Sequence, residues 1–207
     1  MRIVVIGGNG GTGACLAHLG LARGDEIVSV SRGGWTNAPA GLTDVRLDAT
    51  DSALLDEVLT GADAVVIAVG APGFGKEKLR TAVTASVVAA MQRVGVRRLV
   101  VHSSLGVGES LKLMKQPIRT FAKLVLGRAL ADHADQEAVA AASGLDWAVV
   151  QPGGHADDPA TGDVRLVATG VARPGQPTGR ISRADVAAGI LQILDEGLTG
   201  RYVFVAR

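Results

Sequence analysis

The chain has 207 residues, 47% of them hydrophobic and 20% charged, so it is long enough for one well-filled core and too apolar to be disordered. Its 21 basic and 20 acidic residues nearly cancel and only 3% of the residues are aromatic, which disfavours nucleic-acid binding. No stretch approaches the roughly 20 apolar residues of a membrane span, and the opening MRIVVI is too short for a signal peptide. We therefore expect a cytoplasmic protein with neither a nucleic-acid nor a membrane partner.

Strands and helices alternate along the chain. Runs rich in β-branched residues predict strands at 2–6, 26–31, 45–50, 63–69, 97–104, 145–152 and 201–206, the last of which closes the sheet. Helical patterns lie at 12–23, 52–61, 78–94, 117–143 and 182–194, with a break expected at Gly127 and a variant capping box from Ser182 to Asp185. Such repeated units predict an α/β, doubly wound parallel sheet with right-handed crossovers and helices on both faces.

No linker or internal repeat divides the chain, so residues 1–207 are predicted to form a single domain. The segment 153–179 is the least regular part, with several Pro and Gly residues and one candidate strand at 163–169. In open parallel sheets, ligands bind beyond the carboxyl ends of the strands, where the strand order reverses. The loops that follow the strands are therefore the candidate site, and 153–179 is expected to shape its substrate side.

The first of two glycine-rich loops follows the first strand. Gly7, Gly10 and Gly13 keep the spacing G-x-x-G-x-x-G, and a helix is predicted to begin near Thr12. Glycines at these positions permit a tight turn, close approach of a pyrophosphate and packing of helix against strand, while the helix N-terminus attracts phosphate. We predict a Rossmann-type dinucleotide site here, which also includes Gly11.

The second loop, GAPGFGK at 70–76, has the spacing of a phosphate-binding P-loop. Glu77 stands where a P-loop needs Ser or Thr to hold magnesium, and no strand ends in the aspartate that would complete the metal site. We interpret Lys76 as a solvated surface lysine and rank an NTPase last. Gly70 keeps a predicted place beside the cofactor, because it ends the fourth strand.

The choice of dinucleotide depends on the end of the second strand. NAD-selective proteins usually place a carboxylate there, whereas this chain has Ser31 and Arg32, with Asp25 and Glu26 at the strand's other end. Arg32 can pair with the ribose phosphate of NADP in a bidentate way, although an ordinary exposed arginine is the alternative. We predict NADPH as the cofactor.

Cys15 is the only cysteine, so an internal disulfide and a zinc site built from cysteines are excluded. Its neighbours Ala14, Leu16 and Ala17 indicate a small buried apolar residue. We predict no metal site.

Several longer segments carry a family resemblance. Together with the glycine loop and Arg32, HSSLGVGES (102–110), ADHADQEAVAAASGLDWAVVQPGG (131–154) and PATG (159–162) resemble atypical short-chain dehydrogenase/reductases, above all the biliverdin-IXβ/flavin reductase and NAD(P)H-binding, NmrA-like branch. The resemblance implies an NADPH-dependent reductase whose hydride acceptor is a flavin, a tetrapyrrole or a quinone. It also implies that the cofactor shell extends to Asp48, Ala49, Val69, Gly70, Ser103, Pro152 and Gly153.

The usual catalytic pair of short-chain dehydrogenases, Tyr-x-x-x-Lys, is missing. The one tyrosine, Tyr202, has no lysine four residues later, and the matching helix carries His133 and Glu137 instead. These two residues either face the pocket together or form a surface pair. The catalytic candidates are Ser104, which we expect to position the substrate, His133, and His155, which stands one residue away from the histidine of the flavin-reductase relatives.

An acceptor that takes hydride readily and a proton from water needs no tyrosine. The main alternative is a non-enzymatic sensor that binds the dinucleotide and reports redox state to a partner protein. A sugar-nucleotide or isomerase-type enzyme is disfavoured, because such members usually keep the tyrosine and a larger carboxy-terminal substrate domain. We expect a small-molecule acceptor and a monomer or small homo-oligomer.

Overall fold

The computed structural model describes residues 1–70, 78–173 and 180–206. Its strands are β1 (Arg2–Ile6), β2 (Glu26–Ser31), β3 (Thr43–Arg46), β4 (Ala64–Ile67), β5 (Arg98–His102), β6 (Asp146–Gln151), β7 (His155–Ala156), β8 (Val164–Ala168), β9 (Ile181–Ser182) and β10 (Gly200–Ala206). Its helices are α1 (Gly11–Ala22), α2 (Ser52–Leu59), α3 (Leu79–Val94), α4 (Ile118–Val125), α5 (Gly127–Ala142) and α6 (Arg183–Asp195), with a 3₁₀ helix at Gly108–Leu113. The P-loop candidate at 71–77 lies outside the described residues.

Eight of these strands form one sheet in the order β3-β2-β1-β4-β5-β6-β10-β8. All neighbours are parallel except β8, which pairs antiparallel with β10. The chain moves outward from β1 to β3 on one side and from β4 to β6 on the other, so the order reverses between β1 and β4. The predicted doubly wound α/β fold is confirmed, and this switch point is where such folds bind ligands.

Helices cover both faces of the sheet. On one face α1 and α6 pack together over a core that includes Leu16 and Ile190. On the other, α2, α3 and α5 cover a second core that includes Leu55 and Met91. Strand β4 is fully buried between the two layers, which explains why its sequence is a continuous apolar run rather than an alternating one.

Most predicted elements are confirmed within a few residues. The third strand ends at Arg46, earlier than expected, because Asp48 accepts hydrogen bonds from the backbone N–H and the hydroxyl of Thr50 and closes a turn. The helical region 117–143 breaks before Gly127 as predicted. The Ser182 hydroxyl accepts a hydrogen bond from the backbone N–H of Asp185, which confirms the helix cap.

Three features of the carboxy-terminal part differ from the predictions. The strand β10 does not close the sheet, because β8 covers its outer edge and thereby protects the unpaired backbone groups of that edge. The sheet is therefore not purely parallel. A separate two-residue ladder joins β7 to β9 and is too short to give a sequence pattern. Within the described ranges, no helix is both long and apolar enough to cross a membrane.

The contact of α6 with β10 leaves no room for a side chain at Gly189. A Cβ there would lie 2.5 Å from Cε1 of the buried Phe204 ring. We expect Gly189→Ala to lower the free energy of unfolding by about 1–3 kcal/mol through overpacking. Gly127→Ala is the matched control: it is also a helical glycine, a Cβ there meets nothing within 4 Å, and it should be neutral or slightly stabilising. Urea unfolding of both variants checks this, and equal losses would contradict it.

Candidate functional site

A cleft of about 580 Å³ opens at the carboxyl ends of the central strands. Its walls come from the loops after β1 to β5, from α3 and α5, and from β7 and the start of α6. The predicted site residues that line it are Gly7, Gly10, Gly11, Thr12, Arg32, Asp48, Ala49, Val69, Gly70, Ser103, Ser104, His133 and His155. Three predicted residues, Gly13, Pro152 and Gly153, do not line the cleft.

Close backbone contacts require glycine both in the turn after β1, at Gly7, and in the first turn of α1, at Gly13. Gly7 has φ +86°, and a Cβ on it would lie 2.7 Å from the carbonyl oxygen of Ala68. A Cβ on Gly13 would lie 2.2 Å from the carbonyl oxygen of Gly7. Gly13 therefore lets α1 pack against the turn, which explains why it lies behind the cleft and not in its wall.

The start of α1 has the properties of an anion cradle. A Cβ on Gly10 would meet nothing within 4 Å, so the backbone is open to close approach at this point. Gly10 caps the helix without a side-chain hydrogen bond, and the first turn contains no acidic residue. The free N–H groups and the positive end of the helix dipole thus face the cleft, and these residues fit the pyrophosphate of a dinucleotide.

The adenosine end of the cleft is expected after β2 and β3. Arg32 is exposed there, and no carboxylate in residues 1–70, 78–173 or 180–206 forms a salt bridge with it. The loop that carries it is held in place, because Gly34 donates its N–H to the Ser31 hydroxyl and accepts a hydrogen bond from the Asn9 amide. The hydrogen bonds from Thr50, followed by the charge of Arg32, lower the pKa of Asp48. Arg32 is therefore free to bind an anion.

Histidines line the opposite end of the cleft. The rings of His102 and His155 stack with centroids 5.1 Å apart, and Nε2 of His102 lies 3.4 Å from the Thr12 hydroxyl. Burial, followed by the neighbouring His155 and His133, lowers the pKa of His102 to about 3. Burial also lowers the pKa of His155. The stacked pair is therefore uncharged at neutral pH.

His133 and Glu137 have separate environments. His133 lines the cleft and is 8% exposed, and burial together with the nearby Arg80 lowers its pKa to about 4. Glu137 is 3% exposed and does not line the cleft. Both interpretations of this pair from the sequence are wrong: it is not a surface pair, because both residues are buried, and the two do not face the pocket together.

Glu137 instead joins the ends of three strands. Its carboxylate accepts hydrogen bonds from the Ser103 hydroxyl at 2.6 Å, from the Gln151 amide at 2.8 Å and from Nε of Arg201 at 2.9 Å. Ser103 lines the cleft, but its hydroxyl already donates a hydrogen bond to Glu137. The half-buried Ser104, whose hydroxyl bonds only to the carbonyl of Leu105 at 3.2 Å within the described chain, has the more available hydroxyl.

The only tyrosine cannot contribute to the cleft. The Tyr202 hydroxyl donates to the carbonyl of Thr199 at the amino end of β10, whereas the cleft lies at the carboxyl ends of the strands.

Three further cleft residues, His102, Arg80 and Arg183, were not predicted from the sequence. His102 could have been found, because it is the last residue of a strand and directly precedes Ser103. Among the described residues, no group of three or more His, Cys, Asp or Glu side chains is placed to hold a metal ion.

With this geometry in place, comparison with known proteins identifies the class. Residues 7–197 match the NAD(P)H-binding family, and the chain belongs to that family. The part of the predicted resemblance that concerns NAD(P)H binding is thus confirmed, and the cleft is that of an NAD(P)H-binding protein.

Several solved structures share the fold. The anaerobilin reductase ChuY from Escherichia coli O157:H7 has a TM-score of 0.80 at 24% identity, over 100% of this chain and 97% of that one. A candidate NADH-flavin reductase from Streptococcus pneumoniae has a TM-score of 0.79 at 21% identity, over 100% of both chains. A short-chain dehydrogenase/reductase from Veillonella parvula has a TM-score of 0.82 at 18% identity, over 99% of this chain and 94% of that one.

One relative is more similar over a shorter stretch. An uncharacterized chloroplastic protein of Arabidopsis thaliana is 41% identical over 80 residues, which are 37% of this chain and 26% of the relative. This chain therefore aligns with about a quarter of the length of that protein.

Gly10 borders open space in the cleft, whereas Gly13 packs against the backbone, and substitutions at the two positions should therefore have different effects. We expect Gly10→Ala to fold normally but to weaken NADPH binding at least about tenfold, because the methyl group enters the open space that the pyrophosphate needs. Gly13→Ala should instead lower the free energy of unfolding, because its methyl group collides with the Gly7 carbonyl. Unfolding curves and NADPH fluorescence titrations separate the effects, and unimpaired binding by Gly10→Ala would contradict the cradle.

The buried histidines make stability depend on pH. The pKa of His133, about 4 in the folded protein, lies below the value of about 6.5 in an unfolded chain. Between these values the unfolded chain binds more protons, so the free energy of unfolding falls as the pH drops from 6.5 toward 4. Between pH 7 and pH 5 the free energy of unfolding should therefore fall by about 2 kcal/mol less in His133→Gln than in the wild type.

Urea unfolding at the two pH values checks this expectation. His18→Gln, on an exposed position of α1, is the control for loss of an imidazole. The same pH-dependent loss in His133→Gln and wild type would show that His133 is not held neutral by burial.

Proposed function

We propose that this protein is an NADPH-dependent reductase that transfers hydride to a conjugated small-molecule acceptor of the flavin, tetrapyrrole or quinone type. The observation that carries the proposal is a cleft that continues from a glycine cradle to a chamber whose walls are mostly apolar or uncharged side chains, with Arg80 beside them. The chamber contains Leu126, Leu130 and His133 beside Ser104. A planar apolar molecule could pack against these side chains, and no tyrosine lines the described part of the cleft to act as a proton donor.

The chain's own residues would bind and orient the two reactants. Gly10 and Gly11 approach the pyrophosphate, Arg32 pairs with the ribose phosphate, and Val69 and Gly70 support the cofactor after β4. Bound NADPH supplies the hydride. The acceptor is held against it by the walls of α5 and by a hydrogen bond from Ser104, and catalysis is by orientation and exclusion of water.

The histidines are not expected to donate protons at neutral pH. His102 and His133 are neutral there, because their pKa values of about 3 and about 4 leave a negligible protonated fraction. A conjugated acceptor tolerates this, because it spreads the charge that arrives with the hydride and takes its proton from water. A simple ketone, which needs a proton donor in the transition state, is not expected to react.

Two of the similar folds support the acceptor class. One is called an anaerobilin reductase and the other a candidate NADH-flavin reductase.

The test is NADPH oxidation by the purified protein with FMN, biliverdin or a soluble quinone, followed by absorbance. Arg32→Ala should raise the KM for NADPH about 10- to 100-fold and leave the KM for NADH nearly unchanged, because only NADPH carries the ribose phosphate. Arg97→Ala is the matched control, because Arg97 is an exposed arginine just before the amino end of β5, whereas the cleft lies at the carboxyl ends of the strands.

Two results would overturn the proposal in different ways. Equal KM values for NADPH in Arg32→Ala and wild type would remove the argument for NADPH. Tight NADPH binding without oxidation in the presence of any acceptor would favour the redox sensor.

A further inference from the structure

The cleft contains one arginine that lies away from the positions expected for the cofactor's phosphates. Three arginines line it, Arg32, Arg80 and Arg183, and Asp48 is the one carboxylate among its described lining residues. Arg32 stands at the end of β2, where the ribose phosphate is expected. Arg183 lies beside the glycine loop, with Nε 3.5 Å from the position of a Cβ on Gly11, and it also pairs with Asp157. Arg80 stands apart from both, beside His133.

Arg80 is largely buried but weakly paired. Its side chain is 13% exposed, and Nη1 lies 3.3 Å from a carboxylate oxygen of Asp132. Its Nε atom is buried and has no hydrogen-bond partner in the described part of the chain. A guanidinium has several N–H donors in a rigid fork, so most of its capacity is unused. A further anionic partner would stabilise a buried guanidinium whose N–H donors are largely unpaired.

The Asp132 carboxylate is stabilised mainly by groups other than the Arg80 guanidinium. It reaches across from α5 to the first turn of α3 and accepts hydrogen bonds from the backbone N–H groups of Arg80 and Thr81, at 3.2 and 3.1 Å. The Thr81 hydroxyl adds a third at 2.7 Å. Burial opposes the ionisation of Asp132, but these bonds lower its pKa overall. The carboxylate thus caps a helix, and the guanidinium is left with one long contact.

We propose that Arg80 binds an anionic group, a carboxylate or a phosphate, on the hydride acceptor. The inference rests on the proposed function, since it narrows the acceptor to molecules that combine a conjugated ring system with an acidic substituent. Neutral His133 beside Arg80 provides contact area without competing charge, and Leu130 on the same helix provides an apolar wall. Arg80 is accordingly a specificity-determining residue on the acceptor side of the cleft.

FMN and riboflavin provide a matched pair of probes, because they share the isoalloxazine ring and differ in one phosphate. Wild-type protein with NADP⁺ present should bind FMN at least about tenfold more tightly than riboflavin, which is the effect of one charge-assisted contact. Arg80→Gln should lose most of that preference and bind riboflavin as before. Arg80→Lys, which keeps the charge, should retain part of it. Arg97→Gln is the control, and quenching of flavin fluorescence is the readout.

The outcomes separate this inference from the proposed function, because binding is measured without turnover. Selective FMN binding that depends on Arg80 supports the inference even if neither flavin is reduced. Equal binding of the two flavins by the wild type overturns it, whether or not either flavin is reduced and whether or not the variants fold. A parallel loss of FMN, riboflavin and NADPH binding in a folded Arg80→Gln variant also overturns it, because Arg80 would then serve the cofactor.

Discussion

The cleft depends on how closely the backbone folds back on itself after β1. Gly7, at φ +86°, faces the carbonyl of Ala68, and Gly13 passes so near the Gly7 carbonyl that any Cβ would lie 2.2 Å from it. Only glycine permits α1 to begin directly at the end of the strand. This turn lies where the strand order reverses, so the open N–H groups of the helix point into the cleft between β1 and β4.

A second constraint fixes the wall of the cleft that α5 forms. Glu137 is a buried carboxylate that accepts hydrogen bonds from Ser103, Gln151 and Arg201, and it thereby connects α5 to β5, β6 and β10. Arg201 also stacks over the Trp147 ring, with its guanidinium carbon 5.1 Å from the ring centroid. The carboxylate on this helix position thus holds strands together. Glu137 is thereby engaged in three hydrogen bonds and does not line the cleft.

Much of this could be predicted from the sequence, for physical reasons. Strands buried on both faces give continuous apolar runs such as RIVVI and AVVI, and the glycine spacing has few other uses directly after a strand. The environment of Glu137 could not be predicted, because it depends on β10 lying next to β6, a pairing between distant parts of the chain. The strand predicted at 163–169 is confirmed as β8, but its antiparallel pairing with β10 at the edge of the sheet was not predicted, for the same reason. Arg80 had no sequence signal, because its importance arises from Asp132 on another helix.

We propose that hydride leaves a cofactor that this cleft holds in one orientation. Single-turnover oxidation of NADPH carrying deuterium at either face of nicotinamide C4, with FMN as acceptor and without oxygen, tests it directly. We expect a primary isotope effect with one labelled form and a rate close to that of unlabelled NADPH with the other. Equal rates for the two labelled forms, or no oxidation beyond the protein-free rate, would contradict it.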